Sequence, residues 1–414
     1  MTETLKPETT EHVLDAIKWA ATEKATLEVR GQGSKEGFGR VTETAHRLDL
    51  SGLSGIATYE PNELFMTARA ATPIAEIEAA LRQNNQQMAF EPADLGGLMG
   101  SDPEAGTIGG VIACNLAGPR RLQAGAARDH FLGFNAVSGR GEVFKSGGTV
   151  VKNVTGFDLS KLIAGSFGTL AVMTEITFKV LPAPEKTRTV LILGLDDAEA
   201  MTAMSKAMGS AHEVSAAAHL PEGAAGRSAV EYVSGAGRAV TALRVEGPGL
   251  SVEHRCRALR ELLKNFGERE ELHSENSAQL WREIRDVRLL DGTGAGGEAQ
   301  VWRLSVPPME GAGVASALAA GSAQDMDVRA FYDWGGGLIW LAQDPEPDAG
   351  VERVRGAVAK AGGHATLVRA APDVRARVPV FEPQTGALAQ LTARVKEGFD
   401  PHAIINPGRM YEGV

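Results

Sequence analysis

The stretch from Glu104 to Gly118, EAGTIGGVIACNLAG, limits what this chain can fold into more than any other. It is too rich in Gly, Ala and Thr for an ordinary buried element. A Gly pair among small neighbours lets backbone approach a flat or phosphorylated ligand more closely than bulky side chains permit. The sequence therefore predicts a small-residue ligand loop here. A second such loop, Arg30-Gly-Gln-Gly-Ser-Lys-Glu-Gly37, lies upstream, and a third, Gly165-Ser-Phe-Gly-Thr169, downstream. The chain carries 49 Gly in 414 residues, clustered in loops, which favours ligand-binding turns over disorder.

At ~100–200 residues per domain this length gives two or three domains. A hydrophobic fraction of 43% with 23% charged residues is the profile of a soluble globular protein. The formal net charge of −10 argues against nucleic acid, which needs a basic footprint. With two cysteines, Cys114 and Cys256, the chain has no disulfide framework and no set of four thiolates for an iron–sulfur cluster, and it suits a reducing compartment. The N-terminal MTETLKPETTEH lacks a signal-peptide pattern, and no apolar run approaches the ~18 residues of a membrane span. The expectation is a cytoplasmic protein, reaching a membrane only through partners.

Apolar periodicity predicts helices over 7–24 and 73–84, a strand at 26–30, further strand pieces between Leu48 and Ala70, and a strand at 88–90 (MAF). FLGFNAVS and GEVFKSG form a hairpin turning at 138–141, and 170–181 alternates as a half-buried strand. PAPEKT marks a domain boundary. Beyond it, strands TVLILGL, VSAAAHL, AVTALRVEG, VWRLSVPP, DVRAFYDW, GLIWLAQ and HATLVRA alternate with helices near 196–209, 251–266, 276–288, 308–320 and 348–361. That order suggests an antiparallel sheet backed by helices. Gly-rich loops fall at 223–227 and 291–297, and a last helix at 385–398 precedes FDPHAIINPGRMY.

In the first loop, successive amides can converge on a diphosphate. The third Gly stands at Gly37, one position late for a dinucleotide-binding G-x-G-x-x-G, and FGRVTE does not open a helix, so an NAD-type fingerprint is disfavoured. Taken singly, the first loop is equally an ordinary turn, while Thr107–Gly110 favours a ligand over its alternative, tight Gly and Ala packing.

Taken in order, RGQGSKEG, AGTIGGVIACNLAG, KNVTGFDLSKLIAGSFGTLAVMTEITF and FDPHAIINPGR resemble the vanillyl-alcohol oxidase / para-cresol methylhydroxylase type of FAD-binding proteins. GPRRLQAGAARDHFLG and VVKNVTGFDLSKL are similar to the branch that supplies flavin subunits to bacterial glycolate-oxidising complexes. The resemblance implies an α+β fold: a two-part FAD-binding domain (1–181, with 386–414 returning to it) and an antiparallel-sheet cap domain with helices on one face (182–385). It implies that Arg30, Gly31, Gln32, Gly33, Ser34, Lys35 and Gly37 hold the pyrophosphate. Thr107, Gly109, Gly110, Asn115 and Gly118 would line the diphosphate, ribityl and ring region. Gly165, Ser166 and Gly168 would turn beside the cofactor, Ile176 would lie near adenine, and Asn406 and Arg409 would return towards the flavin ring. Ser34 stands where the family often has a flavin-linking His, which implies non-covalent FAD; Cys114, the alternative attachment point, reads as a buried small thiol. The implied partners are a larger flavin subunit, an iron–sulfur subunit and a small 2-hydroxy acid substrate.

A basic island lies between Gly118 and Lys161: Arg or Lys at 120, 121, 128, 140, 145, 152 and 161 against acids at 129, 142 and 158. Cations here suit a reduced flavin or a substrate carboxylate, and equally a solvated face. Arg121, Arg128 and Arg409 are the candidate catalytic residues. The nine histidines are isolated, with no metal-binding spacing. The missing His motifs, and Phe167 where relatives often have Glu, argue against an independent 2-hydroxy-acid active site. They leave open a relay or assembly subunit and a self-sufficient oxidase. Trp334, before Gly335–Gly337, faces a cleft or a partner, or is a core aromatic.

Overall fold

The computed structural model describes residues 3–102, 104–150, 156–292, 298–322 and 326–414. Residues 151–155 of the VVKNVTGFDLSKL motif, including Lys152 of the basic island, and 293–297 of the Gly-rich loop lie outside the described residues. The chain divides into two compact units. The first holds Met1–Ala117, Gly125–Ala183 and Pro379–Val414; the second holds Gly118–Ala124 and Pro184–Val378.

The first unit contains two larger sheets and a two-stranded ribbon. One sheet is parallel, in the order Glu3–Leu5, His46–Asp49, Leu27–Arg30. The C-terminus adds to its edge: Leu27 donates to the Ile404 carbonyl at 2.8 Å, and the Asn406 amide donates to the Leu27 carbonyl at 2.9 Å. The other is five-stranded and antiparallel, in the order Ile56–Glu60, Phe65–Arg69, Ala171–Lys179, Phe131–Ser138, Glu142–Gly147. The predicted hairpin turning at 138–141 is present, with Ser138 opposite Glu142. Helix Thr10–Glu23 begins at Thr9, whose hydroxyl accepts from the His12 amide, and buries Val13, Ile17 and Ala20.

Three expectations fail here for physical reasons. MAF is turn rather than strand; the strand is Gln86–Gln87, which pairs with Leu181–Pro182. Part of LDLSGL closes as a 3-10 turn, Leu50–Gly52, because Asp49 caps it through the Ser51 amide. The central small-residue stretch is not a loop throughout. Ile108–Cys114 is a helix that buries Ile108, Val111 and Ile112, capped by Thr107 and ended at Asn115 in the left-handed region. Its buried apolar residues stand at i, i+3 and i+4, so a helical stripe was hidden among the glycines.

The second unit is built on an eight-stranded, wholly antiparallel sheet. Its order is Glu268–His273, Lys186–Leu193, Val240–Gly247, Val214–Leu220, Val328–Asp333, Leu338–Gln343, Gln300–Ser305, His364–Arg369. Helices Asp197–Met208, Gly249–Leu262, Ser274–Arg285, Gly311–Ala320 and Val351–Lys360 alternate with the strands. Every residue of Val214–Leu220 and of Leu338–Gln343 is buried, so these central strands are covered on both faces. Strand Glu268–His273 carries no apolar alternation that sequence reading detects; it is an edge strand on which Glu268 and Glu270 are exposed while Glu271 is tucked against Arg188.

A buried ion pair fixes the C-terminal return in the first unit. Lys396 donates to Asp400 (2.7 Å) and to the carbonyls of Thr169 (2.7 Å) and Ile405 (2.8 Å). Asp400 also accepts from the amides of Ile404 and Ile405. Burial pushes the Lys396 ammonium below its ordinary pKa, and Asp400 opposes that shift. Removing the cation leaves a sealed carboxylate without its counter-charge. Lys396→Met is expected to destabilise the first unit by about 3 kcal/mol, seen as a lowered urea midpoint; an unchanged midpoint would show the pair to be dispensable.

Candidate functional site

A cavity in the first unit, open to solvent on one side, is walled by the 28–36 segment, by Thr107, Gly110, Ala113 and Cys114, and by Phe167, Asn406 and Arg409. Its floor is the end of strand Leu27–Arg30 and the turn after it. Among the described residues, the five amides from Gly31 to Lys35 donate to no protein acceptor. The loop is held from behind instead. Arg409 donates to the carbonyls of Lys35 (3.0 Å), Glu36 (3.1 Å) and Phe38 (2.6 Å). Asn406 accepts from the Val29 amide at 2.8 Å and donates to the carbonyls of Phe167 and Gly168. One Asn side chain thus ties the strand end to the third small-residue turn.

Electrostatics mark the cavity for an anion. Lys35 Nζ has one hydrogen-bond acceptor among the described residues, Ser34 Oγ at 3.1 Å, and no ion-pair partner. Burial pushes its ammonium below the ordinary lysine pKa, and burial pushes the Arg409 guanidinium down as well. The carboxylates on the wall are already engaged: Glu28 with Arg47, and Glu36 with Arg30 and Arg47. The Arg30 Nε is buried without an acceptor. A buried cation beside a run of unused amides is costly until a negative group arrives.

Small residues keep the space open. A Cβ on Gly31 would stand 2.9 Å from Thr107 Oγ1, and one on Gly110 would point at Lys35 Nζ, 3.4 Å away. Gly33 has φ +81°, a left-handed value that Gly adopts readily, and its Cβ would meet the Arg30 guanidinium at 2.6 Å. These positions fit a pyrophosphate, which needs close backbone approach and positive charge.

The structure gathers Arg30, Gly31, Gln32, Gly33, Ser34, Lys35, Thr107, Gly110, Asn406 and Arg409 around one cavity. Other expected residues stand elsewhere. Gly109 packs on Ala70: its amide donates to the Ala70 carbonyl at 2.8 Å, and a Cβ would come within 2.6 Å of that oxygen. Gly37 faces Met99 Sδ. Asn115 caps the helix and accepts from the Arg128 amide at 2.9 Å. Gly118 belongs to the second unit, where its carbonyl accepts from Trp334 Nε1 at 3.1 Å. Gly165 donates its amide to the Ile112 carbonyl, and Ser166 is buried with an unpartnered hydroxyl. Gly168 touches the cavity only through its bond to Asn406. Ile176 is wholly buried in the core of the five-stranded sheet. Arg121 lies in the second unit, and Arg128 is exposed.

The chain is 34% identical over 406 residues, 96% of each chain, to a protein of Escherichia coli (strain K12) named glycolate oxidase subunit GlcE. The chain belongs to the GlcE family of glycolate oxidase subunits. An FAD binding domain matches residues 3–147, and FAD is the cofactor of this oxidoreductase. A Bacillus subtilis (strain 168) protein named glycolate oxidase subunit GlcD is 41% identical over 93 residues, 22% of this chain and 20% of that one. In fold, the chain resembles a p-cresol methylhydroxylase structure (TM-score 0.71, 14% identity), covering 98% of this chain and 88% of that one. It also resembles an alkyldihydroxyacetonephosphate synthase (TM-score 0.70, 16% identity), covering 98% and 75%. As members of such a family are named as subunits, a multi-subunit complex is implied. Among the described residues no helix is long and apolar enough to cross a membrane, and no cluster of metal-ligating groups occurs.

Sequence reading did not place Glu28, Val29, Glu36, Ala113 and Phe167 on the wall. Glu28 and Val29 alternate in an ordinary strand, and only the Asn406 bond shows that the strand's end is a wall. The third-turn Phe167 takes φ +53°, unusual for an aromatic, and it packs edge-on against Phe38 and Phe381.

Gly110→Val is expected to fill the cavity beside Lys35 and abolish flavin retention, read as loss of visible absorbance in folded protein. Lys35→Met should weaken FAD by at least about tenfold, the worth of one charge-assisted hydrogen bond. Full flavin occupancy in both variants would remove the anion site from this cavity.

Proposed function

We propose that this chain is the FAD-bearing subunit of a glycolate-oxidising complex, acting where glycolate becomes glyoxylate. The observation that carries this reading is the match across 96% of both chains to a glycolate oxidase subunit, supported by a cavity lined by unused backbone amides and Lys35. The first unit, near the expected 1–181 with 386–414, serves as the FAD-binding domain, and the second, near 182–385 but also holding Gly118–Ala124, as the cap. The turn from Arg30 to Lys35 holds the pyrophosphate through its amides and Lys35, while Thr107, Gly110 and Phe167 border the rest of the cofactor. The other expected contacts, at Gly37, Gly109, Asn115, Gly118, Gly165, Ser166, Gly168 and Ile176, stand outside the lining of this cavity.

Bound FAD would supply the acceptor for the hydride leaving the carbon that bears the substrate hydroxyl. The chain's own residues orient the cofactor and set the local charge. Arg409 grips the loop carbonyls through Nη2, so it works as a positioning residue and supplies positive potential. The flavin is held non-covalently. Ser34 offers no attachment, and burial pushes the Cys114 thiol up, keeping it protonated and a poor nucleophile. With two cysteines in the chain, electrons leave through partners: a larger flavin subunit and an iron–sulfur subunit. The protein works in the cytoplasm and meets the inner membrane through those partners.

A second reading, a relay or assembly subunit whose larger homologue oxidises the substrate, is favoured by one observation. Among the described residues no histidine lines the cavity, and its two carboxylates, Glu28 and Glu36, are tied to arginines, which leaves neither free to take the hydroxyl proton. The isolated chain is expected to be yellow. Anaerobic glycolate should bleach it if it is catalytic by itself, and bleach only the assembled complex if it is a relay. A colourless preparation that takes up no FAD would defeat both readings.

A further inference from the structure

In the second unit two arginines converge on one indole. The Arg121 guanidinium carbon lies 4.3 Å from the centre of the Trp334 ring, and that of Arg303 5.1 Å. Cation–π contacts of this kind hold a guanidinium by its face and leave its N–H edge available. Arg303 projects from strand Gln300–Ser305, between Trp340 and Thr366 on the flanking strands. It has no hydrogen-bond acceptor and no carboxylate partner among the described residues. The residue is half-buried, neither sealed in the core nor fully exposed. Burial, and then the neighbouring charge of Arg121, push Arg303 down to about 10. The group is still cationic at neutral pH, and its charged neighbour is another cation.

The indole is held in place at a conformational cost. Trp334 has φ +52°, rare for a bulky residue, and is followed by Gly335 at +65° and Gly336 at +100°. Asp333 caps the turn through the Trp334 amide at 2.7 Å. The indole Nε1 donates to the Gly118 carbonyl at 3.1 Å. That bond anchors the Gly118–Ala124 segment that carries Arg121. The next residue along, Arg120, anchors it again by a two-pronged bond to buried Glu246, at 2.9 Å and 2.7 Å. Strained backbone, two independent anchors and an unpaired cation all serve the same few atoms. A scattered surface arginine has none of these.

We propose that Arg303, Arg121 and Trp334 form a binding site for a small carboxylate within the second unit. A planar carboxylate matches the guanidinium edge, accepts two parallel N–H bonds from Arg303, and relieves the repulsion between the two arginines. The site stands on its own geometry; only the choice of a 2-hydroxy acid as its occupant rests on the proposed function. Arg303 is then a specificity-determining residue outside the flavin cavity.

The test is titration calorimetry of the full-length holoprotein with glycolate, with acetate, and with inorganic phosphate. Wild type should bind glycolate and acetate saturably. Arg303→Gln should weaken both at least tenfold with the flavin spectrum unchanged. Arg303→Lys, which keeps the charge and loses the planar fork, should bind several-fold more weakly than wild type, and it decides the matter if the Gln variant does not fold. Three results would overturn the site: wild type binding neither carboxylate, variants matching wild type, or phosphate binding as tightly as glycolate. A yellow protein that ignores carboxylates sinks this site and leaves the flavin reading intact. A colourless protein that binds them does the reverse.

Discussion

Everything in the first unit depends on the way the turn after strand Leu27–Arg30 is gripped by the chain's last residues. Backbone in a turn presents amides and carbonyls alike, and buried ones must be satisfied. Here Arg409 occupies the carbonyls of Lys35, Glu36 and Phe38, and Asn406 takes the Val29 amide. The amides from Gly31 to Lys35 are left facing the cavity with Lys35 among them. Polarity has been sorted, with acceptors turned to the protein and donors to the ligand. The Lys396–Asp400 pair in turn holds the segment that delivers those two residues.

The second unit applies similar physics to a different end. Glu246 accepts from Arg120 and also meets Arg244 and Thr187. Burial works against its ionisation, but Arg244 and Arg120 overcome that and hold its carboxyl far below the usual range. The ion pair draws a short piece of chain, Gly118–Ala124, out of the stretch that precedes and follows it and onto the eight-stranded sheet. A carboxylate that satisfies two arginines there makes the unpaired state of Arg303 more conspicuous. One cation is neutralised to fix structure, while the other keeps its charge.

Much of the fold was legible because burial imposes periods. The five longer helices of the second unit and seven of its eight strands follow apolar alternation or helical stripes, whereas the short helix Glu222–Ala225 lies in what reads as a Gly-rich loop. Strand Glu268–His273 was not legible, since an edge strand with one wet face can be nearly all charged. Ile108–Cys114 was hidden for the opposite reason: glycines that look like a loop allow a short helix to sit against Ala70. Within the site, Arg30 to Lys35 could be read from residue type, since glycine beside lysine is unusual and chemically pointed. Glu28, Val29 and Ala113 could not, because nothing in an ordinary strand or helix residue declares that a cavity lies beside it.

The sequence alone therefore determined the chemistry on offer: flexible turns, an anion-seeking lysine, too few thiols for a cluster, and four ordered motifs that belong to a flavin-binding family. Only the tertiary structure decided which glycine serves which purpose. Gly109 and Gly110 are neighbours of one kind in the chain, yet a helix turns successive residues by about 100°. One therefore meets the Ala70 carbonyl, and the other meets Lys35. The same holds for the arginines, whose type says they are charged and whose partners, or lack of them, say what the charge is for. Partnering is a property of residues distant in sequence, fixed by packing that no local pattern encodes.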